Sequence, residues 1–190
     1  IDNDIDNDID NNSDNNSDNN SDNINSEKKS YLIAKNIRHP IIESIQTDKE
    51  YIPNDVTLGT DNSDGILLYS VNAAGKSSLM KSIGINIIMA QAGMFVAADS
   101  FTYSPYKYIF TRISGNDNLF KGQSSFAVEM SELRGILKRT DANSLVLGDE
   151  LCSGTETNSG LAIVAAGIVW LSQKNSSFIF ATHLHQLSKM

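Results

Sequence analysis

The sequence predicts an α/β protein with a mainly parallel sheet flanked by helices and a small antiparallel β layer on its N-terminal side. Compact apolar runs of strand length stand between polar residues, as in "DGILLYS", "SLVLGDE" and "SSFIFATH". Segments with helical spacing of apolar residues separate these runs, and the first run leads through a short loop into the first long helix. Alternating strands and helices are typical of a parallel sheet with ligand chemistry at the carboxyl ends of its strands.

The first 22 residues differ in composition from the rest of the chain. They hold eight aspartates and no basic residue, which accounts for the whole formal net charge of −8, since 15 acidic and 15 basic residues follow. Repeats of Asp, Asn, Ile and Ser bury too little apolar surface to offset chain entropy. We therefore predict a disordered low-complexity tail or insertion over residues 1–30 and a folded domain over residues 31–190.

Several classes of protein are excluded by composition. The tail lacks the glycine and terminal glutamate of an EF-hand loop, and the neutral remainder offers no overall basic surface for nucleic acid. No apolar run reaches the length of a membrane span, so no membrane partner is expected. The lone Cys152 excludes an internal disulfide and suits a reducing, intracellular compartment. Because the chain starts without Met and ends abruptly, we expect it to be a fragment, incomplete at its C-terminal end.

The elements follow in order along the chain. Residues 31–70 alternate short apolar runs with turn signals, which predicts three to five short strands, and "DGILLYS" reads as a buried parallel strand. "SSLMKSIGINIIMAQAG" is helical and ends at Gly93, and "FVAADSFTYSPYKYIFTRI" returns to strands and turns. "SSFAVEMSELRGILKRTD" is a helix capped by Ser124 or Ser125. Buried strands at "SLVLGDE" and "SSFIFATH" enclose a mostly apolar helix, "GLAIVAAGIVWLSQK".

The stretch "SVNAAGKSS", residues 70–78, fits the phosphate-loop pattern G-x-x-x-x-G-K-[S/T] except that Ser70 stands at the first glycine. In such a loop Lys76 would neutralise β- and γ-phosphate oxygens, the Ser77 hydroxyl would bind Mg²⁺, and Gly75 would let the backbone approach the phosphates. Serine at the first position costs about 1 kcal/mol where φ must be positive. It removes no group that contacts the ligand, so the pattern still predicts a nucleotide site.

Two further strand ends complement this loop. "SLVLGDE" ends in adjacent carboxylates, 73 positions after Lys76, where Asp149 would hold Mg²⁺ and Glu150 would polarise the attacking water. "FIFATH" ends in His183, which suits a group that senses or positions the γ-phosphate. The alternatives are an ordinary turn or helix cap for the acids and a structural role for the histidine.

With these motifs in hand, the chain resembles the ATPase domain of the MutS DNA mismatch-repair family, a P-loop NTPase of the ABC-ATPase type. The resemblance covers roughly residues 31–189 and rests on "NIRHPIIE", "YIPNDVTL", "VNAAGKSSLMK", "MAQAGMFVAA", "IFTRISGNDN", "GQSSFAVEMSEL", "SLVLGDELCSGTET" and "FATHLHQL". The family loop is typically G-P-N-x-G-G-K-S-T, and this chain departs from it at Ser70, Val71, Ala74 and Ser78. The V-N-A-x-G-K-S-S form is similar to a divergent branch known from giant viruses and some mitochondria.

The resemblance implies further roles, position by position. Tyr51 would stack on adenine, although a core or strand tyrosine is the alternative. Gln91 would read the nucleotide state, and Ser124 would reach across a dimer to the other subunit's nucleotide, unless it only caps its own helix. "GTET" resembles the segment that communicates between paired sites. The loop residues implied to bind nucleotide are Asn72, Ala73, Ala74, Gly75, Lys76, Ser77 and Ser78, with Asn72 facing the γ-phosphate.

The function implied by the resemblance is Mg²⁺-dependent ATP hydrolysis in a homo- or heterodimer whose two sites are shared between subunits. In the family, ATP binding and hydrolysis control the clamping and release of mismatched double-stranded DNA. DNA would be bound by domains that precede residue 31, and a dimerising helical tail would follow Met190. The sequence does not distinguish nucleus, mitochondrion or viral factory as the compartment.

Two other functions remain open at the level of sequence. Another ABC-type ATPase, such as a chromosome-maintenance or transporter subunit, would carry an L-S-G-G-Q signature, whereas this chain has "GQSSFAVEMSEL". A catalytically silent ATP-binding module is the alternative suggested by Ser70.

Overall fold

The computed structural model describes residues 29–45, 50–60, 63–69, 74–113, 125–152, 155–184 and 186–187. Seven strands and four helices are assigned within these ranges. In chain order they are β1 (Tyr31–Ile37), α1 (Pro40–Ile45), β2 (Asn54–Leu58), β3 (Gly65–Tyr69), α2 (Lys76–Gln91), β4 (Ser100–Ser104), β5 (Tyr108–Arg112), α3 (Ser125–Arg139), β6 (Ser144–Asp149), α4 (Thr157–Gln173) and β7 (Ser177–Thr182).

Four strands form a parallel sheet in the order β3-β7-β6-β5. Leu67 of β3 pairs with Phe180 of β7, and Leu147 of β6 pairs with Ile179 of the same strand. Every residue of the two central strands, β6 and β7, is buried. Near-continuous burial is expected of parallel strands that have both faces covered. The predicted α/β class with a parallel sheet flanked by helices is confirmed.

The two faces of this sheet belong to different parts of the core. Leu145, Leu147 and Ile179 lie in a cluster with residues of α2, whereas Val146 and Phe178 lie in a second cluster with residues of α3 and α4. Successive side chains of a strand point to opposite faces, so neighbouring residues of β6 serve the two clusters in turn. The sheet therefore has α2 on one face and α3 with α4 on the other.

The predicted antiparallel layer is also present, as a three-stranded sheet in the order β2-β1-β4. Leu32 and Ala34 of β1 are buried in the α2 cluster, whereas Ile33 and Lys35 between and beyond them are exposed. Alternation of this kind is typical of a sheet with one face on the core. Its third strand, β4, follows α2 in the chain, so the layer draws on a segment well beyond residue 70.

One short helix was not predicted. The sequence predicts only short strands and turns over residues 31–70, but Pro40–Ile45 is helical. His39 precedes it, and its Nδ1 accepts a hydrogen bond from the Ile42 backbone N–H at 3.3 Å. Proline at the first helical position already has the helical φ and needs no N–H partner. An imidazole cap with Pro40 therefore starts the helix in place of the usual Ser, Thr, Asp or Asn.

The described part of the chain begins at Lys29, two residues before the predicted boundary at residue 31, and both Lys29 and Ser30 are in contact with the domain. Ser30 is fully buried, and its hydroxyl donates a hydrogen bond to Asn143 Oδ1 at 2.9 Å. Lys29 pairs with Asp64. Residues 1–28 of the low-complexity tail predicted over residues 1–30 lie outside the described residues. In the part of the chain that the structure describes, the helices all fall short of what crossing a membrane requires in length and apolar character.

Candidate functional site

The candidate site lies at the edge of the parallel sheet where β3, β7 and β6 end and α2 begins. Gly75 precedes α2 with φ 91° and ψ 8°, in the left-handed region that favours glycine. A Cβ at Gly75 would meet nothing within 4 Å, so the requirement for glycine is conformational rather than steric. No side-chain hydrogen bond caps the helix at Gly75. Lys76, Ser77 and Ser78 form that first turn, and Ala74 is exposed just before it.

Ser77 and Asp149 meet at this edge although 72 positions separate them. The Ser77 hydroxyl donates a hydrogen bond to Asp149 Oδ2 at 2.5 Å. Asp149 is the last residue of β6 and is only 8% exposed. A hydroxyl beside a carboxylate is an oxygen donor pair of the kind that Mg²⁺ prefers. Within the described ranges, no group of three or more His, Cys, Asp or Glu side chains could hold a metal ion.

Glu150 and His183 form a second contact next to the first. Glu150 Oε1 lies 2.9 Å from His183 Nε2, and both side chains are about two-fifths exposed. The Glu150 backbone N–H donates to the Ala181 carbonyl at 2.8 Å, which extends the pairing of β6 with β7 by one residue. His183 directly follows β7. The structure thus brings Ser77, Asp149, Glu150 and His183 to one edge of the sheet.

A residue that sequence reasoning missed supports the histidine. Thr182 is buried at the end of β7, and its Oγ1 accepts a hydrogen bond from the Leu184 backbone N–H at 3.0 Å. This bond closes a tight turn around His183 and so orients it. The signal was available, because a threonine that ends a buried strand often bonds to the backbone two residues on.

Glu156 caps α4 just beyond the acidic pair, within the "GTET" segment. Its carboxylate accepts hydrogen bonds from the Asn158 N–H at 3.0 Å and the Ser159 N–H at 2.8 Å. Hydrogen bonds from Asn158 N–H, Ser159 N–H and the Ser159 hydroxyl hold the pKa of Glu156 below its ordinary value. A negative charge is favourable at this end of a helix.

The structure does not bring Gln91 to the site. Gln91 ends the 16-residue helix α2, which Lys76 begins, so the two lie about 22 Å apart at the rise of an α-helix. Its amide bonds instead to the Tyr106 backbone, donating to the carbonyl at 3.0 Å and accepting from the N–H at 2.9 Å. The amide thereby ties the end of α2 to the connection between β4 and β5. A direct contact with nucleotide in its own subunit does not fit this placement.

The remaining candidates are placed as follows. Tyr51 is half-buried in the segment that leads into β2. It lies outside the assigned strands and outside the buried core. Asn72, Ala73 and Ser124 lie outside the described residues, as does Ser70.

Comparison with known proteins identifies the family. Residues 66–190 match the family model described as MutS domain V. The chain is 49% identical to a mitochondrial DNA mismatch repair protein mutS homolog of Sarcophyton glaucum, over 86% of this chain and 16% of that protein. It is 46% identical to a DNA mismatch repair protein mutS homolog of Acanthamoeba polyphaga mimivirus, over 85% of this chain and 17% of that protein. It is 44% identical to the DNA mismatch repair protein MutS of Lactobacillus gasseri, over 82% of this chain and 18% of that protein.

The chain spans less than a fifth of the length of these relatives. The matched region contains the first turn of α2, the acidic pair Asp149–Glu150 at the end of β6, and His183. The predicted resemblance is therefore confirmed by a model that covers most of the described fold. The chain belongs to the MutS family.

Proposed function

We propose that this chain is the ATP-binding and ATP-hydrolysing domain, of the P-loop ABC type, of a MutS-like DNA mismatch-repair protein. The observation that carries the proposal is the 2.5 Å contact between Ser77 at the start of α2 and Asp149 at the end of β6. It joins the two halves of the predicted nucleotide motif, which lie far apart in sequence. The adjacent contact of Glu150 with His183 supports a hydrolytic role rather than binding alone.

The triphosphate of ATP would be bound at the N-terminal end of α2. Backbone N–H groups that point along the axis and the positive end of a helix make such a position favourable for phosphate. Gly75 keeps the backbone open to close approach, and Lys76 follows it in the position that would neutralise the β- and γ-phosphates. The loop residues Asn72, Ala73, Ala74 and Ser78 would add contacts, and Tyr51 would stack on adenine.

The residues present fit Mg²⁺ as cofactor. Ser77 and Asp149 supply a hydroxyl and a carboxylate 2.5 Å apart, and both are hard oxygen donors. When bound there, the ion would neutralise negative charge on the phosphate oxygens. Asp149 is buried against the sheet edge, so its carboxylate is held in place for this task.

Hydrolysis would depend on Glu150 as the group that orients the attacking water. Glu150 Oε1 is held by His183 at 2.9 Å, and its backbone is fixed to β7. The carboxylate would hold water for in-line attack on the γ-phosphate and accept its proton, while Lys76 stabilises the charge that develops. His183 would keep Glu150 in position and lie near the γ-phosphate.

The expected partners are a second MutS-like subunit and mismatched double-stranded DNA. Ser124 of one subunit would complete the ATP site of the other in a homo- or heterodimer. DNA would be bound mainly by other parts of the protein, which agrees with the equal numbers of acidic and basic residues after residue 22. Cycles of ATP binding and hydrolysis would then control binding and release of the mismatch.

A catalytically silent ATP-binding module is the second candidate, since Ser70 replaces the first loop glycine. Measurement of ATP binding and phosphate release with Glu150→Gln separates the two. We expect the variant to bind ATP like the unchanged chain and to lose turnover about 10²–10⁴-fold, the range that general acid–base catalysis contributes. Lys76→Ala is the matched variant that should lose binding itself.

The shared site predicts that turnover per chain rises with protein concentration, because dimers form by mass action. Turnover that is independent of concentration would contradict the shared site. Absence of turnover at every concentration, with ATP binding intact, would favour the silent module.

A further inference from the structure

The chain leaves β6 through a turn, Asp149–Cys152, in which two residues other than glycine have a left-handed backbone. The φ angle is 49° at Glu150 and 59° at Cys152. Residues with a Cβ disfavour this region and keep it only where the surroundings determine it strongly. Since Glu150 is part of the turn, whatever holds the turn also fixes the direction of the Glu150 carboxylate.

Contacts from the sheet and from α4 hold part of this turn. The Glu150 N–H is bonded to the Ala181 carbonyl of β7, and the Leu151 side chain is buried. Gly160 of α4 lies so close that a Cβ there would be 3.2 Å from the Cys152 carbonyl oxygen. These contacts fix the start of the turn and cover its end, but they leave the Cys152 N–H to be satisfied by another group.

That group comes from α3. Glu129 Oε1 accepts a hydrogen bond from the Cys152 backbone N–H at 2.9 Å, across 23 positions of sequence. Met130 and Ile136 of the same helix belong to the cluster that contains Leu151 and Cys152, so α3 is packed against the turn. Hydrogen bonds from backbone N–H groups to carboxylates are among the stronger ones in proteins.

The reactivity of the Cys152 thiol is a measure of the same contact between Glu129 and the turn. It is 4% exposed, and burial raises the pKa of its thiol to about 11, with the nearby Glu129 charge adding to the rise. A thiol of this kind reacts slowly, because the thiolate is the reactive form and the folded turn denies access to it. Any opening of the turn would therefore increase its reactivity.

We propose that Glu129 is a positioning residue for hydrolysis, which holds the Asp149–Cys152 turn through the Cys152 N–H and thereby aims the Glu150 carboxylate at the attacking water. The inference rests on the proposed function and deepens it. Glu129 contacts neither nucleotide nor water in this scheme. It acts through the backbone, so an amide that still accepts the hydrogen bond should preserve most of its effect.

The first measurement is the rate at which an aromatic disulfide reagent modifies Cys152, the single cysteine of the 190-residue chain. Glu129→Ala should raise this rate about tenfold or more, since a hydrogen bond to a charged acceptor shifts a local opening equilibrium by that order. Glu129→Gln should raise the rate much less, because the amide oxygen still accepts the hydrogen bond and only the smaller effect of the Glu129 charge on the thiol pKa is lost. The matched control is Glu132→Ala on the same helix. This change removes the 2.9 Å ion pair between Glu132 and Arg112 and should leave the rate of Cys152 modification unchanged.

The second measurement is steady-state ATP hydrolysis by the same variants. Glu129→Ala should lower kcat about tenfold to a hundredfold, as a misplaced catalytic group does, with KM nearly unchanged. Glu129→Gln should restore most of kcat. Should Glu129→Ala fail to fold, Glu129→Asp, which withdraws the carboxylate by one methylene, is expected to show the same loss of kcat.

The outcomes separate this inference from the function on which it rests. If the unsubstituted chain hydrolyses ATP and Glu129→Ala hydrolyses it equally fast, the inference alone is refuted. The same holds if Glu129→Ala leaves the rate of Cys152 modification unaltered. A faster Cys152 reaction with unaltered kcat would make Glu129 merely structural and also refute it. An unchanged chain without any turnover would refute the proposed hydrolysis and this inference with it.

Discussion

A test of the packing beside the acidic residues is to place a methyl group at Gly148, immediately before Asp149. A Cβ there would lie 2.8 Å and 2.9 Å from Cδ1 and Cε1 of Phe180, and 3.0 Å from Cδ1 of Leu151. Carbon atoms in contact prefer about 3.5–4.0 Å. Phe180 is 1% exposed and lies within the α3–α4 cluster, so its ring has no free space to enter. The φ angle at Gly148 is not positive, so the clash is steric alone.

We expect Gly148→Ala to lower the free energy of unfolding by about 1–2 kcal/mol, since overpacking a core costs roughly 1–3 kcal/mol and the reduced freedom of the unfolded chain offsets part of it. Urea unfolding followed by far-ultraviolet circular dichroism and by the fluorescence of Trp170, the single tryptophan, measures this quantity. Gly167→Ala is the matched control, because a Cβ there meets nothing within 4 Å. It should stabilise α4 by about 0.5–1 kcal/mol.

Combining Gly148→Ala with Phe180→Leu tests whether the Phe180 ring causes the clash. If the ring causes the clash, the double variant should be more stable than the sum of the single changes implies, with a coupling of about 1 kcal/mol or more. Additive effects, or a Gly148→Ala chain as stable as the unchanged one, would refute the reasoning.

Three further predictions concern the site, the short helix and the core. Ser77→Ala should abolish the Mg²⁺ dependence of ATP binding, whereas Ser77→Thr keeps the hydroxyl and should preserve it. The same Mg²⁺ dependence in Ser77→Ala as in the unsubstituted chain would contradict the assignment of Ser77 and Asp149 as Mg²⁺ ligands. Burial lowers the pKa of the His39 imidazole, with Lys81 adding to the effect. The unfolded chain therefore binds more protons below about pH 6.5, and stability should fall as the pH drops through that value toward the folded pKa. His39→Asn keeps a capping acceptor and should flatten that part of a pH series of unfolding curves; an unaltered slope would contradict it. Tyr106→Phe removes a buried hydroxyl that donates to Ser177 Oγ at 3.0 Å, and should cost about 0.5–1.5 kcal/mol in urea unfolding, with no loss being the contrary result.

The sequence was most informative where local patterns decide the structure. The spacing of Leu79, Met80, Ile83 and Ile87 predicts α2, and the structure has this helix followed by Gly93 with φ 75°. The apolar runs at β6 and β7 predict buried strands, because parallel strands are covered on both faces. Ser77, Asp149, Glu150 and His183 could be grouped because residues that follow parallel strands lie at the same edge of the sheet.

The parts that could not be predicted depend on distant pairing. β4 joins β1 in the antiparallel layer, with Tyr31 opposite Ser104, although α2 lies between them in the chain. The helix α1 has a histidine cap, and no standard capping residue announces it. The contact of Glu129 with Cys152 has no local signal, since it depends on how α3 packs against the turn. The roles assigned to Tyr51, Asn72 and Ser124 stay predictions.

The strand order has a consequence for how the molecule assembles during synthesis. β7 lies between β3 and β6 in the sheet but follows both of them in the chain. The pairing of Leu67 in β3 with Phe180 in β7 can therefore form only after β7 has been synthesised. A nascent chain that ends before Ser177 already contains Lys76 and Glu150 but lacks the strand that sets the distance between their elements. Joining ends so far apart is the slow, entropically costly step of folding. The contacts that join the ends of β3, β6 and β7 would thus form together, when the central strand β7 is inserted.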